Sequence, residues 1–130
     1  MAVKLEPSKR NILILDDAPE ILTLINEILG ETYNVHLAKS VNTANAILVT
    51  NKIDLILLDL LLGDTSGLDF LKILKSSATL KNIPVLMISS NSQLVNVSKA
   101  TKLGAKGYIV KPINASHLRD KIYALFRELG

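Results

Sequence analysis

Apolar residues along this chain fall into two alternating patterns. Short runs of strand length occur at about Asn11–Leu15, Tyr33–Leu37, Asp54–Leu58, Val85–Ile88 and Gly107–Val110. Within them Ile12-Leu13-Ile14-Leu15 and Leu55-Ile56-Leu57-Leu58 show no polar alternation, which predicts strands covered on both faces of a parallel sheet. The intervening stretches carry helical period. Ile21, Leu22, Leu24, Ile25, Ile28 and Leu29 trace one face of a first helix, with Pro19 in its first turn and Gly30 near its end. Ser40 is placed to cap a second helix carrying Ala44, Ile47 and Leu48. Gly67 precedes a third, with Leu68, Leu71 and Leu74 inward. A fourth carries Leu94, Val97, Ala100 and Leu103, and Gly104 follows as its C-terminal cap. Asn114 caps a fifth, whose inner stripe is Leu118, Ile122, Leu125 or Phe126, and Leu129.

Five β-α units joined by short connections predict an α/β, doubly wound fold with right-handed crossovers and helices on both faces of the sheet. Ligands of such sheets bind beyond the carboxyl ends of the strands, near the switch in strand order. The residues that close the apolar runs are polar: Asp16-Asp17 after Leu15, Asp59 after Leu58, Ser89 after Ile88 and Lys111-Pro112 after Val110. Parallel strands would bring three carboxylates, a hydroxyl and an ammonium to one edge. Clustered carboxylates repel, so the site calls for a divalent cation, and the ammonium suits it to hold a dianion against that cation.

Composition narrows the class without changing this picture. A chain of 130 residues, 48% hydrophobic and 21% charged, has the size and balance of one globular domain. It has no cysteine, which excludes disulfides and thiolate metal sites. No apolar run approaches the ~20 residues needed to cross a membrane, and Met1–Arg10 lacks the core of a secretory signal, so a cytoplasmic domain is expected. Residues 1–10 read as an N-terminal extension and 11–130 as the domain, with no room for a second.

The charge is uneven. Residues 1–65 hold five basic and nine acidic side chains, whereas 66–130 hold ten basic and three acidic, with no acid between Asp69 and Asp120. Solvated helix faces account for such a run, and so does a docking face for an acidic partner. Direct nucleic-acid binding is not expected, because aromatics are few and no helix-turn-helix pattern is present.

Taken together, Asp16-Asp17, Asp59 with Gly67 eight residues on, Pro84–Ser89, Gly104-Ala105 with Gly107-Tyr108, and Lys111-Pro112 resemble a response-regulator receiver domain. The resemblance covers nearly everything from Asn11 to Gly130, and the last helix is similar to that of the single-domain chemotaxis regulator. It implies a flavodoxin-like (βα)5 sandwich with a five-stranded parallel sheet in the order 2-1-3-4-5. It also implies a phosphorylatable switch and no enzyme activity beyond Mg²⁺-dependent self-phosphorylation and autodephosphorylation. Asp59 resembles the phosphoacceptor, which takes its phosphoryl group from a sensor histidine kinase or a phosphotransfer protein. Asp17 resembles the direct Mg²⁺ ligand, Asp16 the one acting mainly through water, and the Leu61 carbonyl supplies a further oxygen. Lys111 matches the ammonium on the phosphoryl group, and Ser89 the hydroxyl that moves toward it. Tyr108 matches the aromatic whose rotamer follows; an ordinary strand tyrosine is the competing reading. The Lys111–Pro112 bond is expected to be cis. Output is expected on the face of the fourth helix, fifth strand and fifth helix, toward an unidentified downstream protein.

Some positions depart from the family pattern. Gly63 stands where proline is usual, which predicts a more flexible loop, and Thr65 replaces an apolar residue there. Ser90 fills the small position after Ser89, and Lys106-Gly107 replaces acidic residues of the winged-helix regulators, arguing against their mode of dimerisation. Leu61 and Asn91 stand two residues beyond Asp59 and Ser89, beside the path of a hydrolytic water, and predict a long-lived phosphoform. His36 and His117 lack metal-like spacing and read as surface or rim residues. The alternative to a free-standing switch is a receiver module of a larger effector, such as a hybrid kinase, second-messenger enzyme or transcription regulator. A flavin carrier would need a phosphate loop after the first strand, and a phosphatase an Asp-x-Asp motif; Asp16-Asp17-Ala18 is neither.

Overall fold

A computed structural model describes residues 9–63, 65–90 and 94–129. The elements in order are β1 (Asn11–Leu15), α1 (Pro19–Leu29), β2 (Asn34–Ala38), α2 (Val41–Thr50), β3 (Leu55–Asp59), β4 (Leu61–Leu62) and β5 (Thr65–Ser66). They continue as α3 (Gly67–Ser76), β6 (Val85–Ser89), α4 (Leu94–Lys102), β7 (Gly107–Val110) and α5 (Ala115–Leu129). Five strands form one parallel sheet in the order β2-β1-β3-β6-β7, the expected topology once the small β4-β5 pair is set aside.

The unbroken apolar runs behave as their composition dictates. Ile12 to Leu15 and Leu55 to Leu58 are all fully buried. Because side chains alternate across a strand, each run feeds two cores. Leu13, Leu15, Ile56, Leu58, Val85 and Met87 pack on the α2-α3 side with Ala44, Leu71 and Leu74. Ile12, Ile14, Leu55, Leu57 and Ile88 pack on the other side with Ile25 of α1 and Leu118 and Ile122 of α5. Fully burying one such side chain contributes about 1.5–3 kcal/mol, so the central strands anchor the frame on which the polar edge is mounted.

Local signals set most boundaries. Pro19 opens α1, the Ser40 hydroxyl accepts from Thr43 N to cap α2, and Asn114 Oδ1 accepts from His117 N at the start of α5. Gly104 ends the α4 region at φ +106°, a conformation that a side chain would strain. Several expectations shift. Edge strand β2 runs Asn34–Ala38 rather than from Tyr33, and β3 runs one residue late, taking Asp59 as its last residue. Gly67 lies inside α3, whose N-cap is Ser66, the hydroxyl accepting from Leu68 N. Both Leu125 and Phe126 are buried, but Leu129 is 49% exposed, since α5 has by then run past the sheet. The Leu94 side chain, Asn91 and Gly130 lie outside what is described.

Candidate functional site

Strand register builds the site. Leu15 pairs with Leu58, so Asp16 and Asp59 stand level on neighbouring strands. Asp59 pairs with Ile88 and Ser89 with Val110, which sets Ser89 and then Lys111 successively one residue further along. The ladder continues past the strands through Asp16 N to Ala38 O, Leu60 N to Ile88 O and Lys111 N to Ser89 O. Backbone hydrogen bonds therefore fix where each functional residue leaves the sheet. The Lys111–Pro112 peptide bond is cis.

Asp16, Asp17 and Asp59 each offer a carboxylate oxygen, and these oxygens lie within 4.8 Å of one another. Asp16 is fully buried and Asp59 is 6% exposed, while Asp17 faces solvent. One Asp16 oxygen, Oδ1, accepts from Ala18 N at 2.9 Å, and Asp59 Oδ1 accepts from Leu61 N at 3.3 Å. Lys111 Nζ reaches across the edge to Asp16 Oδ2 at 2.9 Å and Asp59 Oδ2 at 3.4 Å. The contact to Asp16 is an ion pair without good hydrogen-bond direction, so Oδ2 stays buried with no directed donor. Such an oxygen is costly to bury unless a cation takes up its charge.

Burial, and then the Asp16 charge, push the Asp59 carboxyl up to about 6 against the pull of Lys111 and the Leu61 amide. Burial disfavours the Lys111 charge, but the close negative charge of Asp16, and then that of Asp59, outweighs it and raises its pKa. One ammonium thus serves two carboxylates and leaves the cluster short of positive charge. Three hard oxygen donors, one exposed, fit Mg²⁺, which takes few protein carboxylates and keeps several waters.

The segment after Asp59 forms an antiparallel hairpin in which Leu61 faces Ser66 and Leu62 faces Thr65. Gly63 turns it at φ +60°, with the position of its missing Cβ 3.7 Å from Asp17 Oδ2. This is the physical content of the glycine departure: the loop is bent by a left-handed residue beside the carboxylates. Gly67 is constrained more severely, since a Cβ there would lie 2.0 Å from the Asp59 carbonyl oxygen. Neither the hairpin nor this approach was expected from the sequence; a glycine opening a helix eight residues after Asp59 was the available signal. Ser89 is buried, Tyr108 is 41% exposed and the Leu61 side chain is 65% exposed. His36 Nε2 lies 3.1 Å from Asn11 Oδ1 at the other end of the sheet, and His117 is exposed.

Residues 12–123 match the response regulator receiver domain. The phosphate regulon transcriptional regulatory protein PhoB of Pseudomonas aeruginosa is 34% identical over 93% of this chain and 53% of its own length. Chemotaxis protein CheY-3 of Vibrio cholerae is 31% identical over 91% of this chain and 92% of its own. A probable cyclic di-GMP phosphodiesterase of Vibrio cholerae is 29% identical over 89% of this chain, which spans only 26% of that protein. Among solved structures, a CheY-like receiver domain protein from Methanospirillum hungatei superposes with TM-score 0.84 at 30% identity, covering 93% of this chain and 96% of that one. No helix among the described residues is long and apolar enough to cross a membrane. With the sheet order, the acidic edge and the match in agreement, the chain belongs to the response-regulator receiver domain family, the phosphorylatable switch of two-component phosphorelays.

Proposed function

We propose that Asp59 is the phosphoacceptor of this switch. What carries the reading is the meeting of three carboxylates with the Lys111 ammonium at one edge of the sheet. An Asp59 oxygen attacks the phosphorus of a phosphohistidine on a kinase or phosphotransfer protein. The phosphorus–nitrogen bond breaks, the imidazole leaves with its electron pair, and an aspartyl phosphate forms. Asp16, Asp17, Asp59 and the Leu61 carbonyl would hold Mg²⁺. When bound, the ion neutralises charge on the phosphoryl oxygens. Lys111 serves the same end from the other side, as a fixed ammonium already held among the carboxylates.

In the output step, the Ser89 hydroxyl turns toward the new phosphoryl group and Tyr108 changes rotamer with it. Contacts made only in that arrangement shift the population of the α4-β7-α5 face toward a state that binds a downstream protein. Residues 11–130 then act as one receiver unit behind a short extension. The chain spans 92% of the length of CheY-3. It spans about a quarter of the phosphodiesterase and about half of PhoB, which favours a receiver module within a larger effector.

The test is incubation with Mg²⁺ and acetyl phosphate followed by intact mass measurement. One phosphoryl adduct, removed by hydroxylamine and absent from Asp59→Asn, is the expected result. An unmodified mass, or an adduct that persists in Asp59→Asn, refutes the assignment.

A further inference from the structure

A cavity of about 580 Å³ opens between the end of α2 and the α3-β6 connection, at the opposite end of the sheet from the carboxylates. Ile53 and Ile83, which line it, each stand two residues before a central strand, β3 and β6. Leu48 and Ile53 are buried, Leu80 and Ile83 are half-buried, and Val49 is 85% exposed beside them. The lining is thus mainly aliphatic. Its volume falls within the range of small-molecule sites, roughly 300–1,000 Å³.

Both sides of the cavity are held by hydrogen bonds of their own. Asn51 donates from its backbone N and from Nδ2 to Ile47 O, each at 3.0 Å, which fixes the turn out of α2. On the other side Lys75 donates to Lys81 O at 3.1 Å and to Ile83 O at 2.8 Å. The Ser77 hydroxyl accepts from Leu80 N at 3.2 Å in the same connection. The cavity is therefore preformed, and an entering ligand has little of the protein to order.

Charge decides what kind of ligand it suits. Among the described lining residues Lys52 alone is charged, and it is exposed. Among the described residues only Lys111 forms ion pairs, so the Lys52 ammonium has no carboxylate within 4.0 Å. Its neighbour Asp54 already accepts from Asn11 N at 2.7 Å. The α2 carbonyls that would oppose an anion are engaged as well, Ile47 O by Asn51 and Ala46 O by the Thr50 hydroxyl at 3.0 Å. We infer that the cavity is a binding site for a small hydrophobic carboxylate. Its apolar body lies against Leu48, Ile53, Leu80 and Ile83, and its charge turns to Lys52. One isolated ammonium suits a monoanion, whereas a phosphate dianion calls for several converging donors. The inference does not rest on the assignment of Asp59, because no residue of the phosphoryl edge lines this cavity.

The experiment titrates the isotope-labelled full chain with phenylbutyrate, and separately with the neutral phenylbutanamide and the cationic phenylbutylamine. Saturable amide shifts confined to residues 44–53 and 77–83, the two sides of the cavity, are expected. The carboxylate should bind ~3-fold or more tightly than the amide, as one solvent-facing ion pair allows, and the amine should bind more weakly than either. Lys52→Met should bring the carboxylate down to the affinity of the amide and leave the amide unchanged. Lys102→Met, the same charge change elsewhere, should preserve the order of the three probes. Asn45→Trp, a bulky ring placed on an exposed lining position, should weaken all three. Melting curves establish that the variants are folded. Equal binding of the three probes, a preference for the carboxylate that survives Lys52→Met, or the absence of saturable shifts overturns the inference. So do shifts at these residues on dilution without a probe, which would show that a second copy of the chain covers the cavity.

Discussion

Lys111 is held closer to Asp16 than to Asp59, with Nζ–Oδ2 distances of 2.9 and 3.4 Å. Before any phosphoryl group arrives, its ammonium is therefore mainly the counter-charge of a fully buried carboxylate. On the proposed assignment, phosphorylation of Asp59 would add a competing set of anionic oxygens, and a bound metal would relieve Asp16 of its need for the lysine. Both ligands would then replace interactions that the charges at this edge already make.

That arrangement predicts the behaviour of Lys111→Ala. Removing one partner of a buried pair leaves carboxylates uncompensated, which destabilises the fold by roughly 1–3 kcal/mol in metal-free buffer. Mg²⁺ should recover much of the loss, because it supplies the missing charge. Urea unfolding with and without Mg²⁺ measures both. A variant as stable as wild type without the metal would show that the pair carries no net weight.

The raised pKa of Asp59 predicts a pH dependence with a definite sign. Its ordinary value is 3.8 and the fold moves it to about 6. Between those values the folded state binds a proton that the unfolded chain has released, so metal-free stability falls as pH rises through this window. Asp59→Asn removes the effect. It should be more stable than wild type at pH 7 without Mg²⁺, by up to roughly 3 kcal/mol, and the difference should close near pH 4. Denaturation midpoints across that range test it; a difference that stays constant with pH contradicts the burial argument.

Gly67→Ala tests how Asp59 is positioned. Alanine ordinarily favours a helix over glycine by about 1 kcal/mol. Here its Cβ would meet the Asp59 carbonyl oxygen at 2.0 Å, a backbone atom that cannot swing aside. The clash should win, lowering stability by roughly 2 kcal/mol or more and slowing phosphorylation as Asp59 is displaced. Thermal melting and phosphorylation rates report the two effects separately. An alanine variant more stable than wild type would mean that α3 moves freely against β3.

How much of this was legible in the sequence depended on how many forces acted on each residue. Ile12–Leu15 and Leu55–Leu58 are buried on both faces, so their composition admits little else. Edge strand β2 is only partly covered, and its start was misplaced by one residue because Tyr33 packs on Phe126 from just outside the strand. The polar edge was legible because each residue ends a recognisable run. Its internal pairing was not: the preference of Lys111 for Asp16 depends on register and side-chain reach, which spacing does not encode. The hairpin was invisible for a different reason. Its strands are two residues each, too short for any period, and only Gly63 marked the turn.

The last prediction concerns signal lifetime. The Leu61 amide donates to Asp59 Oδ1, so this residue flanks the carboxylate, yet its side chain is 65% exposed. An apolar group at that place offers an incoming water no hydrogen bond and covers part of its approach. Hydrolysis needs a water in line with the phosphorus and opposite the aspartyl oxygen, so a side chain that cannot orient it leaves the barrier high. Leu61→Asn combined with Asn91→Glu supplies an acceptor at each of the two positions. Dephosphorylation should accelerate by ~10-fold, equivalent to roughly 1.4 kcal/mol of barrier. Decay of the phosphoform after removal of acetyl phosphate gives the rate directly, and unfolding curves establish that the double variant remains folded. Leu61→Ala separates the two roles of the position, since it uncovers the approach without adding an acceptor. Faster decay in Leu61→Ala as well would assign the effect to shielding, and acceleration in the double variant alone to water orientation. An unchanged or slower rate in both would show that these side chains do not control access of the water.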